Sequence, residues 1–466
     1  MLPAQVVADA NFQRLKALVI EATGMAFYAD KDDDLARIVA ARMDETGVTS
    51  CTRYLELIAD VVLGRGEMDA LVAELTIGET YFFRHKEQFD ALRDIILPDV
   101  LARNEATRCL RIWSAGCATG PEPYSVAILL KREFGARIAG WHVSIIGTDI
   151  NQKFLAHARD GRYDEWAFRA TPDDVRQDCF ERVGKQWQIR PEYKNCVSFQ
   201  YHNLIRNRFP SLLDNLAGLD IIICRNVVIY FSRETVAGLV PCFHETLVDG
   251  GWLIMGHAEP NLELFRDFRT VNTPGAVLYQ RTDRPQIVTA AAAPAPVAPR
   301  PLLPLPEPVR RPRPAPRRPA VAPSVRATPA AAAPHEGVGR VRELADQGRW
   351  SEALAACDGL IAANTLDAHA HFYRALVLEQ LGDVEGCETS LRRSIYLDRH
   401  FVLPHYHLGL FLWRRDEVAG ANRSFRNVLA LLAQLPDDHA VDHGDAITVG
   451  QLRETVGMHL DLIGVS

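Results

Sequence analysis

The sequence predicts an α/β protein: an open, mostly parallel sheet with helices on both faces, preceded by a small helical unit and followed by a helical repeat. Three observations carry that expectation. Apolar segments near 110–113, 143–149, 197–201, 219–224, 251–256 and 276–280 alternate with helical patterns near 122–134, 151–159 and 233–247, the order that builds parallel sheets. The stretch Leu110 to Ser125 (LRIWSAGCATGPEPYS) reads as a buried strand, a small-residue turn and a helix start. Beyond residue 336, small residues recur at a spacing of 34.

Taken in order, residues 10 to 75 read as helices. Phe12, Leu15, Leu18 and Val19 repeat at helical spacing, as do Leu35, Ile38, Val39 and Met43, with Arg37 and Arg42 assigned to the outer face after Asp32, Asp33 and Asp34. Tyr54, Leu57, Ile58, Val61 and Val62 form a third stripe. In the next informative stretch, Thr76 to Arg84 (TIGETYFFR), two consecutive phenylalanines suit a core. Thr80 and Arg84, four apart, share a face if the segment is helical. An arginine placed there can hold a substrate carboxylate through paired hydrogen bonds.

In the stretch 110–125, Gly116 and Gly120 let backbone approach a ligand closely, and the following helix start offers N–H groups. The dinucleotide pattern of three glycines is absent, so an ordinary strand–turn–helix reads the same stretch equally well. The second strand, within Trp141 to Ile150, ends in Asp149, where an acidic residue can bind ribose hydroxyls. A third, Leu219 to Cys224, runs directly into Arg225, Asn226, Val227, Val228, Ile229, Tyr230 and Phe231.

SAGCATGPEPYS, GTDI and CRNVVIYF, with ETYFFR before them and GHAE after, resemble in the same order the CheR-type chemotaxis-receptor glutamate methyltransferases, over residues 10 to 281. The resemblance implies a Rossmann-like class I fold that binds S-adenosyl-L-methionine, with an N-terminal helical domain lying over the active site. It implies cofactor-binding roles for Thr80, Arg84, Gly116, Glu122, Asp149, Asn203, Leu204, Asn226 and Val227. Arg84 and Tyr230 are the candidates on the acceptor side, and no metal is implied. Asn203 suits an adenine edge or a strand-ending turn; His257 and Glu259 of GHAE suit the site or a structural role. The implied partner is the cytoplasmic domain of a methyl-accepting chemoreceptor. The family carries a small β-subdomain near 164–200; the short turn within Arg182 to Arg190, with one glycine, resembles members that do not bind a receptor's C-terminal peptide.

Composition bounds the rest. No apolar run reaches 18 residues, so no membrane insertion is expected, and the N-terminus lacks a basic start followed by an apolar stretch. Nine scattered cysteines without a C-x-x-C pair suit a reducing cytoplasm and argue against structural zinc. A net charge of −7 gives no reason to expect nucleic acid as a partner. Residues 284–334 hold 15 of the 27 prolines with arginine and alanine, the composition of a semi-extended linker. After it, Gly348, Gly382 and Asp416 are 34 apart, as are Ala353, Cys387 and Ala421, then Cys357, Leu391 and Phe425, then Ala375 and Gly409. That period is the tetratricopeptide signature, and the module is expected to bind an unknown protein partner. The expected division is 1–78 helical, 79–283 methyltransferase, 284–334 linker and 335–466 repeat. The rival readings are a repeat adaptor with a silent catalytic fold, or a methyltransferase acting on another carboxylate.

Overall fold

The structure is a computed structural model that describes residues 2–60, 63–282, 334–415, 417–444 and 447–464. Val61, Val62, Asp416 and all of the expected linker but Pro334 lie outside the described residues.

The N-terminal unit packs α1 (Pro3–Val7), α2 (Phe12–Thr23), α3 (Asp32–Thr46), α4 (Cys51–Ala59) and α5 (Gly64–Leu75). The periodic apolar residues form its core: Phe12, Leu15, Val19, Leu35, Val39, Met43 and Tyr54 are fully buried. The Ser50 hydroxyl accepts from Arg53 N–H and starts α4. Arg42 corrects the sequence reading. Its guanidinium lies inside the unit, Nε 3.0 Å and a terminal nitrogen 2.6 Å from the two carboxylate oxygens of Glu67. The Tyr54 hydroxyl donates to the same carboxylate. A third-turn arginine pointed at a carboxylate from another helix is invisible to a periodicity of apolar residues alone.

Ten strands follow. Seven build the main sheet: β1 (Cys109–Ala115), β2 (His142–Asp149), β6 (Val197–Tyr201), β7 (Leu219–Cys224), β8 (Leu247–Met255), β9 (Phe268–Thr273) and β10 (Ala276–Arg281); β3 (Arg162–Tyr163), β4 (Phe180–Val183) and β5 (Gln186–Ile189) form a side sheet that begins two residues before the expected subdomain. The main order is β6-β2-β1-β7-β8-β10-β9. β6, β2, β1, β7 and β8 run parallel, and β10 pairs antiparallel with both β8 and β9. The last two apolar segments, β8 and β10, pair antiparallel but are not consecutive strands: β9 forms a hairpin with β10, which slots between it and β8. β7 is buried along its whole length and is apolar but for Asp220, whose carboxylate accepts from Arg103 at 3.0 Å and Asn104 at 2.8 Å.

Helices α6 (Lys86–Ala91), α7 (Leu97–Arg103), α8 (Pro121–Phe134), α9 (Gln152–Asp160), α10 (Asp173–Cys179), α11 (Pro191–Lys194) and α12 (Arg233–Thr246) accompany the sheets. Chain order reverses at β1, with β2 on one side and β7 on the other. The carboxyl ends of these strands open the crevice where such sheets bind ligands.

The C-terminal region is three helical pairs, α13 (Pro334–Asp346) with α14 (Trp350–Ala363), α15 (Ala368–Gln380) with α16 (Val384–Leu397), and α17 (Val402–Arg414) with α18 (Val418–Leu432), followed by α19 (Val449–Gly464). Trp350, Val384 and Val418 open the second helix of each pair at the 34-residue spacing. Ala353, Cys387 and Ala421 are buried between helices, and a Cβ on Gly409 would stand 2.6 Å from the Phe425 ring. Small residues therefore sit where helices cross closely.

The Arg42–Glu67 pair yields a test of the N-terminal unit. Arg42→Met leaves a buried carboxylate without its cation and is expected to destabilise the protein by about 3–5 kcal/mol in denaturant unfolding. The double change Arg42→Met with Glu67→Leu is expected to recover most of that loss.

Candidate active site

The site begins where β1 ends. Gly116 has φ +72° and lies so close to the Val227 side chain that any Cβ would collide with it. The turn is tied to β2, with Gly116 N–H and Cys117 N–H donating to Thr148 O at 2.8 and 2.9 Å. Ala118, also in the left-handed region at φ +49°, donates its N–H to Asp149 Oδ2 at 2.9 Å, and Asn151 N–H donates to Oδ1 at 2.8 Å. Phe83, His85 and Asn226 share that unfavourable backbone region around the same crevice. Strain of this kind costs on the order of 1–3 kcal/mol per residue and gathers at functional sites.

Asp149 is buried at the end of β2, and desolvation pushes its carboxyl up to about 6 against the pull of its backbone donors. It lines a cleft with about 770 Å³ of empty space, open solvent at the mouth included, a size suited to a small ligand. Gly116, Asn203, Leu204, Asn226, Val227 and Tyr230 line the same cleft. Its other wall comes from the N-terminal helices: Met25, Phe27, Tyr28, Leu75 and Ile77. The helical unit thus covers the mouth of the sheet. Sequence reasoning missed these wall residues because an apolar side chain carries no chemical mark, and it passed over buried His202, which also lines the cleft.

A second, smaller cleft adjoins the first and shares Gly116, Ala118, Asn226 and Tyr230 with it. Thr80, Arg84, Glu122 and Arg225 line this second space. Thr80 to Arg84 is not helical; the segment is an irregular turn whose Phe82 is buried against Phe168 and Phe180. The expected shared helix face is therefore replaced by a loop held at one aromatic anchor, and it still brings Thr80 and Arg84 to one cleft. Arg84 donates to Glu79 O at 2.6 Å, while its Nε is buried without a partner. Tyr230 stands edge-on to Phe27, with ring centroids 5.7 Å apart, so it is both packed and exposed to the clefts.

Two carboxylates organise these groups. Glu122, in the first turn of α8, accepts from Ser114 Oγ at 2.7 Å and from Arg225 Nε at 2.7 Å. Arg225 also donates to Arg84 O at 2.7 Å and Gln88 Oε1 at 2.8 Å. Glu259 accepts three backbone N–H bonds, from Asn226 at 3.1 Å, Val227 at 3.0 Å and Gly256 at 2.5 Å. Burial raises its carboxyl above the ordinary value. Of the GHAE motif, then, Glu259 fixes the Asn226–Val227 backbone, and His257 packs on His85 with ring centroids 4.4 Å apart. Asn226 Oδ1 is left buried without a partner at the junction of the clefts. Asn203 lines the first cleft and also has a structural task. Its amide nitrogen donates to Ala22 O at 2.9 Å and its oxygen caps Ile205 N–H at 2.9 Å, so the side chain joins the N-terminal unit to the sheet.

An open α/β sheet with a covered cleft at its switch point defines a nucleoside-cofactor enzyme, and residues 78–277 match the model described as "CheR methyltransferase, SAM binding domain". "Chemotaxis protein methyltransferase 1" of Pseudomonas aeruginosa is 30% identical over 283 residues, covering 59% of this chain and 98% of that relative. "Probable biofilm formation methyltransferase WspC" of the same organism is 29% identical over 367 residues, covering 77% and 85%. "Chemotaxis protein methyltransferase" of Listeria monocytogenes is 32% identical over 223 residues, covering 48% and 79%. The chain belongs to the CheR methyltransferase family. It is an S-adenosyl-L-methionine-dependent methyltransferase whose activity forms methyl esters on chemoreceptor glutamates.

The residues present fit that cofactor. Asn226 offers an unpartnered buried acceptor, Asp149 an acidic strand end, and Gly116 a side-chain-free stretch of backbone on the cleft wall. Glu259→Gln keeps the shape but replaces one acceptor oxygen with a donor facing N–H groups. It is expected to weaken S-adenosyl-L-methionine binding about tenfold in calorimetry.

Proposed function

We propose that the first cleft holds S-adenosyl-L-methionine and that the second admits the glutamate side chain of a chemoreceptor's cytoplasmic domain. The observation that carries this reading is the pair of clefts meeting at Asn226 and Tyr230, with Arg84 facing the second. On this reading Gly116, Asp149, Asn203, Leu204, Asn226 and Val227 contact the cofactor. Asp149 accepts from ribose hydroxyls, and the Asn226 oxygen accepts from a cofactor donor. Thr80, Glu122 and Arg84 border the region where methyl group and acceptor meet.

The bound cofactor supplies an electrophilic sulfonium methyl group. The acceptor carboxylate is already ionised at neutral pH, so no general base has to create the nucleophile. What remains is placement, which can contribute about 7–11 kcal/mol to lowering a barrier. Arg84 orients the carboxylate through its guanidinium, held by Arg225 through the Arg84 carbonyl. Tyr230 and Phe27 wall the junction and exclude water. The repeat array takes a protein partner, and the enzyme works in the cytoplasm; all nine cysteines are free, and among the described residues no helix is long and apolar enough to cross a membrane.

The test is transfer of radiolabelled methyl from the cofactor to receptor cytoplasmic domains from the same cell. Base-labile label is expected. Cofactor binding with no label on any receptor would overturn the receptor assignment. Arg84→Ala is expected to lower turnover by about 10²-fold while leaving cofactor affinity nearly unchanged; equal loss of both would move Arg84 to the cofactor side. Asp149 predicts a pH dependence. Its carboxyl is held up to about 6, so lowering the pH from 7 to 5 protonates the acceptor. Calorimetric affinity is expected to fall over that interval, steepening below about 6, and Asp149→Asn should bind weakly with a flat profile.

A further inference from the structure

The repeat array touches the methyltransferase through a specific surface. Leu212, on the turn Ser211–Leu216 that follows β6, is 4% exposed and belongs to the array's apolar cluster with Val341, Phe372 and Leu376; Leu213 packs beside it. Gly218 and Gly348 meet back to back, so a Cβ on Gly218 would stand 2.6 Å from Gly348 Cα and 2.8 Å from the Trp350 ring. Arg111, at the foot of β1, lies 4.9 Å from the centre of that ring. Its guanidinium donates to Asn215 O at 3.0 Å and Asn215 Oδ1 at 2.7 Å, which shapes the turn. The next repeat turn, at Gly382, rests on His142 at the start of β2, 3.0 Å from the position of a Cβ. Opposite charges lie near one another across the contact without forming ion pairs, Glu379 near Arg111 and Arg208 near Asp346.

The same segment reaches the cofactor cleft. Asn203 and Leu204 line that cleft. Asn207 Oδ1 accepts from Asn203 N–H at 2.9 Å, Phe209 packs on Trp113 with centroids 5.2 Å apart, and Gln200 Nε2 donates to Asp214 O at 2.7 Å. Residues 200–216 therefore form one hydrogen-bonded unit with one end at the cleft and the other in the array.

We propose that the face built by α13, α15 and α17 is an interaction surface for the methyltransferase's own Leu212–Leu213–Asp214 turn, and that docking there and cofactor binding strengthen one another. The surface takes the two adjacent apolar side chains of that turn. An outside protein segment of the same chemistry competes for it, and by linkage lowers cofactor affinity as it binds. This rests on the cofactor reading of the first cleft.

The test uses the full chain and reads hydrogen exchange and cofactor affinity, not receptor methylation. Saturating S-adenosyl-L-methionine is expected to slow exchange at Gly348 to Trp350. Leu212→Glu should speed exchange there, remove the cofactor's protective effect and weaken cofactor binding at least about fivefold. Trp350→Ala, which approaches the contact from the array, should do the same if Leu212→Glu fails to fold. Unchanged exchange in both variants would overturn the docking. Faster exchange with unchanged cofactor affinity would overturn the coupling. Failure of the wild type to bind the cofactor would instead overturn the reading of the cleft, and exchange in the variants would still decide the docking.

Discussion

The buried pair between Arg225 and Glu122 is the interaction on which the site depends. Their side chains are 3% and 10% exposed, and they join three separate pieces of chain. Glu122 opens α8, Arg225 ends β7, and Arg225 also grips the carbonyl of Arg84 in the loop before α6. Removing either charge would leave the other stranded in low dielectric, which is far more costly than the pair itself is stabilising. The pair therefore acts as a geometric lock: the Arg84 loop is held by a bond to its backbone, while the Arg84 side chain, bonded to Glu79 O, keeps its Nε without a partner.

Glu259 plays the matching part for the first cleft. Three N–H bonds to one carboxylate hold Asn226 in a left-handed conformation that costs energy for any residue with a Cβ. That conformation places the Asn226 oxygen, buried and unpartnered, where the two clefts meet. On the proposed reading, placement rests on a few fixed dipoles, and the nucleophile is the acceptor carboxylate itself, which arrives already charged.

A third theme is coverage. The N-terminal helices supply the second wall of the cofactor cleft and bond to the sheet through Asn203. The array meets the other end of the sheet at Arg111, His142 and Gly218. A linker of this composition could span on the order of 150 Å if extended. The array nevertheless packs against the domain that precedes it, through a turn that begins a few residues beyond the cofactor cleft.

By itself the sequence determined the alternation of strands and helices, the 34-residue repeat and the junctions that line the crevice. These are local properties: a period of two or 3.6, a turn glycine, a motif read in order. β7 falls where an apolar run ends because a strand buried along its whole length is built mostly from apolar residues. Tertiary structure decided everything that needed a partner from far along the chain. Arg42 looks solvated until Glu67 arrives from another helix. That Asn203, besides lining a cleft, ties the sheet to the N-terminal unit shows only once Ala22 O is seen to accept its amide N–H. Thr80 and Arg84 reach one cleft from a loop because Phe82 anchors it, not because a helix turns them together. The role of Glu259, and the docking of Leu212 into the array, depend on distances between segments, and no one-dimensional pattern encodes those.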